Sequence, residues 1–157
     1  MRIESWKLVY IGGILSLLSL FIPTHFNGAI GGSDFFLNYT WMLGFIIQFK
    51  NKIPYAIYWL GHARFPIWII WMLISPILAL IVMISSISMI KYVINIKNNK
   101  IDNKNNSRKF ADLLFSTAIF YIIFTSAIWM IPIYGSISLM IGAILSMIGI
   151  RKLFLEI

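Results

Sequence analysis

Two long stretches of this chain carry almost no charge, and they constrain its fold more than any other feature. Trp68–Ile90 contains no charged residue, and Phe110–Ile150 contains only Asp112, near its beginning. An α-helix needs about 20 apolar residues to cross the roughly 30 Å hydrocarbon core of a bilayer. Because 60% of all residues are hydrophobic and 11% are charged, the composition also indicates an integral membrane protein rather than a soluble domain.

The apolar stretches predict an all-α integral membrane protein built as a bundle of four transmembrane helices. The stretch after Phe110 is too long for one helix at about 1.5 Å per residue, and Pro132 with Gly135 predicts a tight turn inside it. Pro76 predicts a kink in the second span rather than its end. The predicted segments are spans at 8–22, 68–90, 111–131 and 134–150, an extracytoplasmic loop at 23–67, a basic cytoplasmic loop at 91–109 and a cytoplasmic tail at 151–157.

The first predicted span also has features of a signal peptide. Lys7 precedes a short apolar region and Pro23 follows it. The only cleavage signal is a weak one near Gly28. We therefore expect this segment to be retained as a slightly short span.

The distribution of Lys and Arg predicts that both termini are cytoplasmic. Short loops rich in Lys and Arg stay on the cytoplasmic side of a membrane. With four spans, the N-terminal tail, the 91–109 loop and the C-terminal tail share one side, and together they carry nine basic residues, or ten if Lys91 is counted. The 23–67 loop, on the other side, carries three.

The first loop, residues 23–67, is the one segment between spans that is large enough to form a site. Its glycine-rich beginning predicts an irregular turn region, whereas Phe36–Phe49 is too short to span a membrane and too apolar for water. Its Tyr and Trp residues are typical of the headgroup level. One interpretation is a pair of short interfacial helices that cap the bundle, and the other is a re-entrant hairpin. We favour the interfacial helices, since backbone at membrane depth must be surrounded by protein.

The second loop, residues 91–109, is rich in Asn and Lys, and we expect its central part to be flexible. Each basic side chain near an anionic leaflet contributes about 1 kcal/mol of binding. This predicts contact with anionic lipid headgroups. The alternative is that these basic residues only fix the topology of the chain and bind no lipid. The predicted headgroup contacts are Lys97, Lys100, Lys104, Arg108 and Lys109.

The predicted spans contain little that supports chemistry. Apart from Asp112 they hold no Asp, Glu, Lys, Arg, His, Asn or Gln, which argues against a proton-coupled transporter, a pump or catalysis within the bilayer. The net charge of +8 does not indicate a nucleic-acid-binding protein, because the basic residues are dispersed between apolar stretches. With no cysteine in the chain, disulfides and thiolate metal sites are excluded, and we predict neither a cofactor nor a metal.

Small residues recur at steps of three or four in the fourth span and share one helix face. They are Gly135, Ser138, Gly142, Ser146 and Gly149. Such faces let helix backbones approach closely. We predict that a helix packs against this face with Gly142 at the crossing, either the first span of the same chain or a helix of a partner.

Four residues of the first loop form a candidate polar site: His25, Asp34, His62 and Arg64. Histidines and a carboxylate bind a transition metal or act in acid–base catalysis only if the loop brings them together. The spacing of the two histidines matches no known ligand pattern, so a metal is not expected. Asn38-Tyr39-Thr40 is a formal N-glycosylation sequon in the same loop.

The outline of four spans, cytoplasmic ends and a larger first outer loop resembles that of claudin-like tetraspan junction proteins. Their first-loop signature of a tryptophan, a Gly-Leu-Trp and two cysteines is missing here, so the resemblance assigns no family. We expect a non-catalytic accessory or structural subunit of a larger complex in the cytoplasmic or plasma membrane. Its partners would be other membrane subunits and lipids.

Two other functions remain open from the sequence. A small carrier of an apolar or lipid-like solute is indicated by Pro76 and a re-entrant Phe36–Phe49, and a cavity lined by Met42, Phe45 and Trp68 would favour it. An enzyme at the outer interface would require the histidines and carboxylate of the first loop to converge.

Overall fold

The computed structural model describes residues 4–31, 34–59, 66–98, 104–127 and 130–156. In this part of the chain, four helices and five strands form a mixed α/β fold. In chain order they are α1 (Ser5–Leu18), β1 (His25–Gly31), β2 (Asp34–Thr40), β3 (Phe45–Lys50), β4 (Ile53–Trp59), α2 (Pro66–Lys97), α3 (Lys104–Ala127), β5 (Ile131–Pro132) and α4 (Tyr134–Glu156).

Three of these helices are long and apolar enough to cross a membrane, so helices of the predicted length and apolar composition are confirmed for three of the four predicted spans. The spans are Leu73–Lys97 in α2, Asn106–Ala127 in α3 and Tyr134–Leu155 in α4. Helix α2 continues through Pro76 without a break. Helix α1 is apolar but has 14 residues, fewer than the roughly 20 that a bilayer core requires.

The helices extend furthest at the end that carries most of the basic residues. Helix α2 continues to Lys97, α3 begins at Lys104 and α4 reaches Glu156, so much of 91–109 and 151–157 is helical. At the opposite end α1 stops at Leu18 and α3 at Ala127, four residues before the predicted ends at 22 and 131. The chain there leaves the helices to form strands.

The prediction of an all-α fold is wrong, because most of the described residues between His25 and Trp59 form strands instead of interfacial helices. Strands β1 to β4 pair consecutively as an antiparallel meander, and the short β5 pairs with β1, where His25 is opposite Pro132. The strand order is β4-β3-β2-β1-β5. Phe36–Phe49 contains most of β2 and β3 and the turn between them, so this segment is an antiparallel β-hairpin within the sheet.

The turns explain why this apolar segment forms strands. Asn51 and Lys52 have positive φ angles of 48° and 72°, as a two-residue I′ hairpin loop requires, and they join β3 to β4. Gly44, at a φ of 87°, closes the turn between β2 and β3, where its N–H donates to the carbonyl oxygen of Trp41 at 3.0 Å. The segments between these turns are rich in Ile, Phe and Tyr, which favour strands.

Helices α1 and α4 pack antiparallel through nearly the same six residues. Residues 11–16 read Ile-Gly-Gly-Ile-Leu-Ser, and residues 141–146 read Ile-Gly-Ala-Ile-Leu-Ser. A β-carbon added to Gly12 would lie 2.6 Å from the carbonyl oxygen of Gly142, and one added to Gly142 would lie 2.7 Å from that of Gly12. Each glycine also contacts the serine of the other helix. The two backbones therefore touch, as in small-residue packing of membrane helices.

The outer surface of the helices is apolar along its length. Large exposed side chains occur on all four helices, among them Leu18, Leu80, Ile123 and Ile141. The interior is filled by a separate set that includes Val9, Val82, Leu114 and Leu139. An apolar surface of this extent is typical of helices that contact lipid or other proteins.

Candidate functional site

A buried polar cluster joins the sheet to the ends of α3 and α4. We call it the His25 cluster, and it consists of Thr24, His25, Thr40, Tyr121, Thr125 and Ser136. Its central side chain, His25, is the first residue of β1 and is fully buried. The ring Nε2 lies 2.6 Å from Thr125 Oγ1 on α3 and 3.1 Å from Ser136 Oγ on α4. The ring also packs edge-on against Tyr121, with 5.2 Å between ring centroids.

The hydrogen bonds of the neighbouring hydroxyls define the tautomer of His25. Thr125 Oγ1 donates to the carbonyl oxygen of Tyr121 at 2.6 Å, and Ser136 Oγ donates to that of Thr24 at 2.7 Å. Because each hydroxyl has one hydrogen and is placed to donate it to a backbone carbonyl, we infer that both accept from the ring and that Nε2 carries the hydrogen. Nδ1 is then an acceptor, and it is buried without a partner in the part of the chain that the structure describes.

Thr24 links the cluster to the Tyr121 hydroxyl of α3 and to the end of β2. Its Oγ1 lies 2.8 Å from the Tyr121 hydroxyl, and its N–H donates to the carbonyl oxygen of Thr40 at 2.8 Å. Thr40 Oγ1 in turn donates to the His25 carbonyl oxygen at 3.2 Å. The start of β1 and the end of β2 are therefore fixed against α3 and α4 by side chains as well as backbone.

The cluster fixes the sheet to α3 and α4 through a neutral, buried histidine. Burial lowers the pKa of His25 to about 4, so the ring is neutral at neutral pH. The ring is closed off from solvent, and the hydroxyls that it contacts donate to backbone carbonyls, so none of them is activated as a nucleophile.

A second region of interest is a groove on the face of the sheet opposite to His25. Alternate residues of β2 lie along it, and Tyr39 packs edge-on against Phe49 of β3 with 5.6 Å between ring centroids. We call it the sheet groove. Its cavity volume is about 420 Å³, and its lining residues are Pro23, Leu37, Tyr39, Trp41, Phe49 and Lys52.

The face of the sheet that carries His25 continues outward as a row of amides. Asn38 Nδ2 donates to Asn27 Oδ1 at 2.9 Å, and Gln48 Nε2 donates to Asn38 Oδ1 at 2.8 Å. The three side chains link β1, β2 and β3 on one face. The Asn38 nitrogen that a glycan would modify is therefore hydrogen-bonded to Asn27 in the folded sheet.

The structure does not bring His25 and Asp34 together. Asp34 is opposite Gly31, six residues along β1 from His25, which separates the two by about 20 Å at 3.3 Å per residue. Instead, Asp34 Oδ2 lies 2.7 Å from Lys50 Nζ, and this hydrogen bond lowers the pKa of the carboxyl group. His62 and Arg64 lie outside the described residues. Within those that are described, no three His, Cys, Asp or Glu residues are grouped to hold a metal.

The five small residues predicted on α4 face residues of the same chain. A β-carbon on Gly135 would lie 2.7 Å from the carbonyl oxygen of Pro23, and one on Gly149 would lie 2.8 Å from the backbone nitrogen of Val9. Ser138 Oγ donates to the carbonyl oxygen of Leu15 at 3.0 Å, while Gly142 and Ser146 are at the crossing with Gly12 described above. This face is therefore occupied by α1 and the segment that follows it.

The residues predicted to contact lipid headgroups lie around one end of the helices. Lys97 Nζ is 5.3 Å from the ring centre of Trp6, and Arg108 Nε is 4.0 Å from Asp112 Oδ2 on the same helix. Lys109 is exposed, and Lys104 is the first residue of α3. Lys100 lies outside the described residues.

Sequence reasoning missed the hydroxyl partners of His25 and the lining of the groove. The partners Thr125 and Ser136 are about a hundred residues away in the chain, so no local spacing indicates them. The sequence does contain a signal for the groove, because Leu37, Tyr39 and Trp41 occur at every second position, which is the spacing of residues on one face of a strand.

Comparison with protein-family models, curated proteins and solved structures found no match to this chain. The fold alone therefore indicates the class of protein to which this chain belongs. Three helices are long and apolar enough to cross a membrane, and a five-stranded antiparallel sheet is fixed to one end of them through a buried histidine.

Proposed function

We propose that this chain is a non-catalytic accessory or structural subunit of a larger complex in the cytoplasmic membrane. In this proposal α1 crosses the membrane together with the three longer helices, the termini are cytoplasmic and the sheet lies on the outer side. The distribution of Lys and Arg supports this orientation, because the sheet is at the end of the helices with fewer basic residues.

The edge strand β4 is the observation that carries the proposal. It is the last strand in the sheet order, and among the described residues no strand pairs with its outer edge. Ile57 in this strand is 73% exposed and Ile53 is 69% exposed, although both are large and apolar. A free edge with apolar side chains is a surface to which another chain can add a strand.

Two further observations support docking through the sheet and not through the helices. The small-residue face of α4 is already filled by α1, so it offers no close contact to a partner helix. His25 is buried among hydroxyls and Asp34 is paired with Lys50, which favours a non-catalytic role over an enzyme at the outer interface.

The experiment is to extract the tag-free chain from its own membranes in a mild detergent and to measure the size of the particle. We expect a complex larger than the monomer. A photo-reactive residue at position 57 should cross-link to protein, whereas the same residue at position 141, exposed on α4, should cross-link to lipid. A monomer in the extract, with no protein adduct from position 57, would contradict the proposal.

A second candidate function, a carrier of an apolar or lipid-like solute, is favoured by the sheet groove. The groove differs from the cavity expected from the sequence, since Met42 is fully buried in the core and Phe45 stacks on Trp41 at 4.6 Å. The side chain of Trp68 is not among those described. Accelerated transfer of a labelled single-chain lipid between vesicles that contain the protein would support this function, and transfer no faster than in empty vesicles would contradict it.

A further inference from the structure

We propose that the sheet groove binds one anionic single-chain amphiphile. Its acyl chain would lie along Leu37, Tyr39 and Phe49, and its carboxylate or phosphate would contact Lys52. This inference names the ligand of the carrier function proposed above. It rests on that function, because the carrier function accounts for how the ligand would leave the membrane.

The lining of the groove suits an acyl chain. Five of its six lining residues are apolar or aromatic, and a volume of about 420 Å³ is typical of small-molecule sites, which range over roughly 300–1,000 Å³. From Trp41 to Leu37 the strand advances by about 13 Å at 3.3 Å per residue. This is close to the thickness of one leaflet, about half of the 30 Å core, which is the length that an acyl chain fills.

The charge at the outer end of the groove determines the class of headgroup. Lys52 lies in the hairpin loop at the tip of the sheet, and no carboxylate of the described residues pairs with it. The neighbouring Lys50, in contrast, is paired with a carboxylate, because its Nζ lies 2.7 Å from Asp34 Oδ2 on the other face of the sheet. An anionic group at the end of a chain in the groove would therefore meet an unpaired positive charge.

The inner end of the groove is continuous with the apolar surface of α1. Trp41, a lining residue, donates its indole N–H to the carbonyl oxygen of Phe21 at 3.2 Å. Phe21 itself is exposed and follows the exposed Leu18 at the end of α1. A chain that leaves the membrane along α1 would thus reach Trp41 and Pro23 first, with Lys52 at the far end.

The experiment uses the full chain in nanodiscs of uncharged phosphatidylcholine and a palmitate that carries a photo-reactive diazirine. Cross-links are mapped by mass spectrometry, and unlabelled palmitate, palmitoyl-lysophosphatidate and monopalmitoylglycerol are compared as competitors. We expect labelling within residues 34–52, with the anionic competitors about fivefold more effective than the uncharged one, as one ion pair near a surface provides. Which of the two anions competes better identifies a carboxylate or a phosphate as the headgroup.

Two variants with matched controls test the orientation of the ligand. Lys52→Asn removes the charge and keeps a residue that tolerates positive φ, so it should abolish the advantage of the anionic competitors, whereas Lys97→Gln should leave it unchanged. Leu37→Trp should fill the groove and abolish labelling, whereas Ile141→Trp, on the outside of α4, should not. An anionic advantage that persists in Lys52→Asn, or labelling confined to the helices, would overturn the inference.

Combining the labelling in nanodiscs with the transfer assay in vesicles separates this inference from the carrier function. Labelling of the groove without faster lipid transfer would support the binding site and contradict the carrier. Faster transfer without labelling of residues 34–52 would contradict the binding site. Because the map of cross-links is obtained on the unmodified chain, a variant that fails to fold does not leave the binding site untested.

Discussion

The crossing of α1 with α4 and the junction between the sheet and the helices differ in what lies between the backbones. At the crossing the backbones of α1 and α4 are in direct contact at Gly12 and Gly142. At the junction a buried imidazole and several hydroxyls fill the space between β1 and the ends of α3 and α4. The first contact depends mainly on the small size of the residues, whereas the second depends on the hydrogen bonds between His25 Nε2 and the hydroxyls of Thr125 and Ser136. The two should therefore respond to different perturbations.

The largest effect is expected at the crossing, from Gly142→Leu. A β-carbon at this position would already lie 2.7 Å from the carbonyl oxygen of Gly12 and 2.8 Å from the backbone nitrogen of Ser16. Backbone atoms of a packed helix cannot move aside as a flexible side chain can, so the helices must separate. We expect a loss of about 3 kcal/mol in the free energy of unfolding, at the upper end for overpacking.

Denaturation of the purified protein in micelles measures this loss, with Ile141→Leu as the control. Ile141 is the preceding residue and is exposed on the outside of α4, so its variant should differ from the wild type by less than about 0.5 kcal/mol. Equal stability of the Gly142→Leu variant and the control would show that α1 and α4 do not touch in the membrane-embedded protein.

The crossing illustrates what the sequence could predict. Spacing of three or four residues places Gly135, Gly142 and Gly149 on one face without any knowledge of the rest of the fold. Charge-free runs of sufficient length likewise predict the three longer helices. Both features are local, and a helix satisfies its own backbone hydrogen bonds, so local spacing carries the information.

The sheet could not be predicted in this way, because its signals are weak or distant. In β3, Phe45 and Ile47 face one side while Ile46 is buried on the other, so the strand is apolar on both faces and shows no alternation. The Asn51-Lys52 loop lacks the glycine that usually marks a two-residue hairpin. Such an apolar run is read as a helical or interfacial segment, and only the pairing with the neighbouring strands identifies it.

Acidification should weaken the junction and leave the crossing intact. An unfolded histidine has a pKa of about 6.5, whereas burial holds that of His25 at about 4. Below pH 6.5 the unfolded chain takes up a proton that the folded chain does not, so stability falls until about pH 4 and then levels off. Between pH 7.5 and pH 5 we expect a loss of about 2 kcal/mol.

The pH dependence is measured by denaturation at a series of pH values, with His25→Gln for comparison. The side chains that contact the ring from α3 and α4 are hydroxyls, so none of these contacts offsets a charge on it. The His25→Gln variant should be less stable at neutral pH but should lack most of the decrease on acidification. An unchanged decrease in the variant would assign it to another group.

A smaller effect is expected when one hydroxyl of the junction is removed. Thr125→Val keeps the shape of the side chain and deletes the oxygen that lies 2.6 Å from His25 Nε2. Ser136, at 3.1 Å, remains as an alternative acceptor, so we expect a loss of about 1 kcal/mol, the net value of one hydrogen bond.

The adjacent Ser126 is exposed, and Ser126→Val is the matched control, which should change stability by less than about 0.5 kcal/mol. Hydrogen exchange of β1 should increase in Thr125→Val and not in the control. A loss above about 3 kcal/mol would mean that the Ser136 contact does not replace the missing one.

The smallest effect is expected at the tip of the sheet, from the ion pair between Asp34 and Lys50. Although their atoms are 2.7 Å apart, the side chains are 31% and 39% exposed, so water and salt screen the attraction. Asn51 also joins the same two strands, since its N–H donates to the carbonyl oxygen of Phe35 at 2.8 Å. A double-mutant cycle with Asp34→Asn and Lys50→Gln should therefore give a coupling energy smaller than the effect of Thr125→Val, and smaller still in 1 M salt. A larger, salt-independent coupling would mean that the sheet is fixed at its tip as firmly as at the buried histidine at its base.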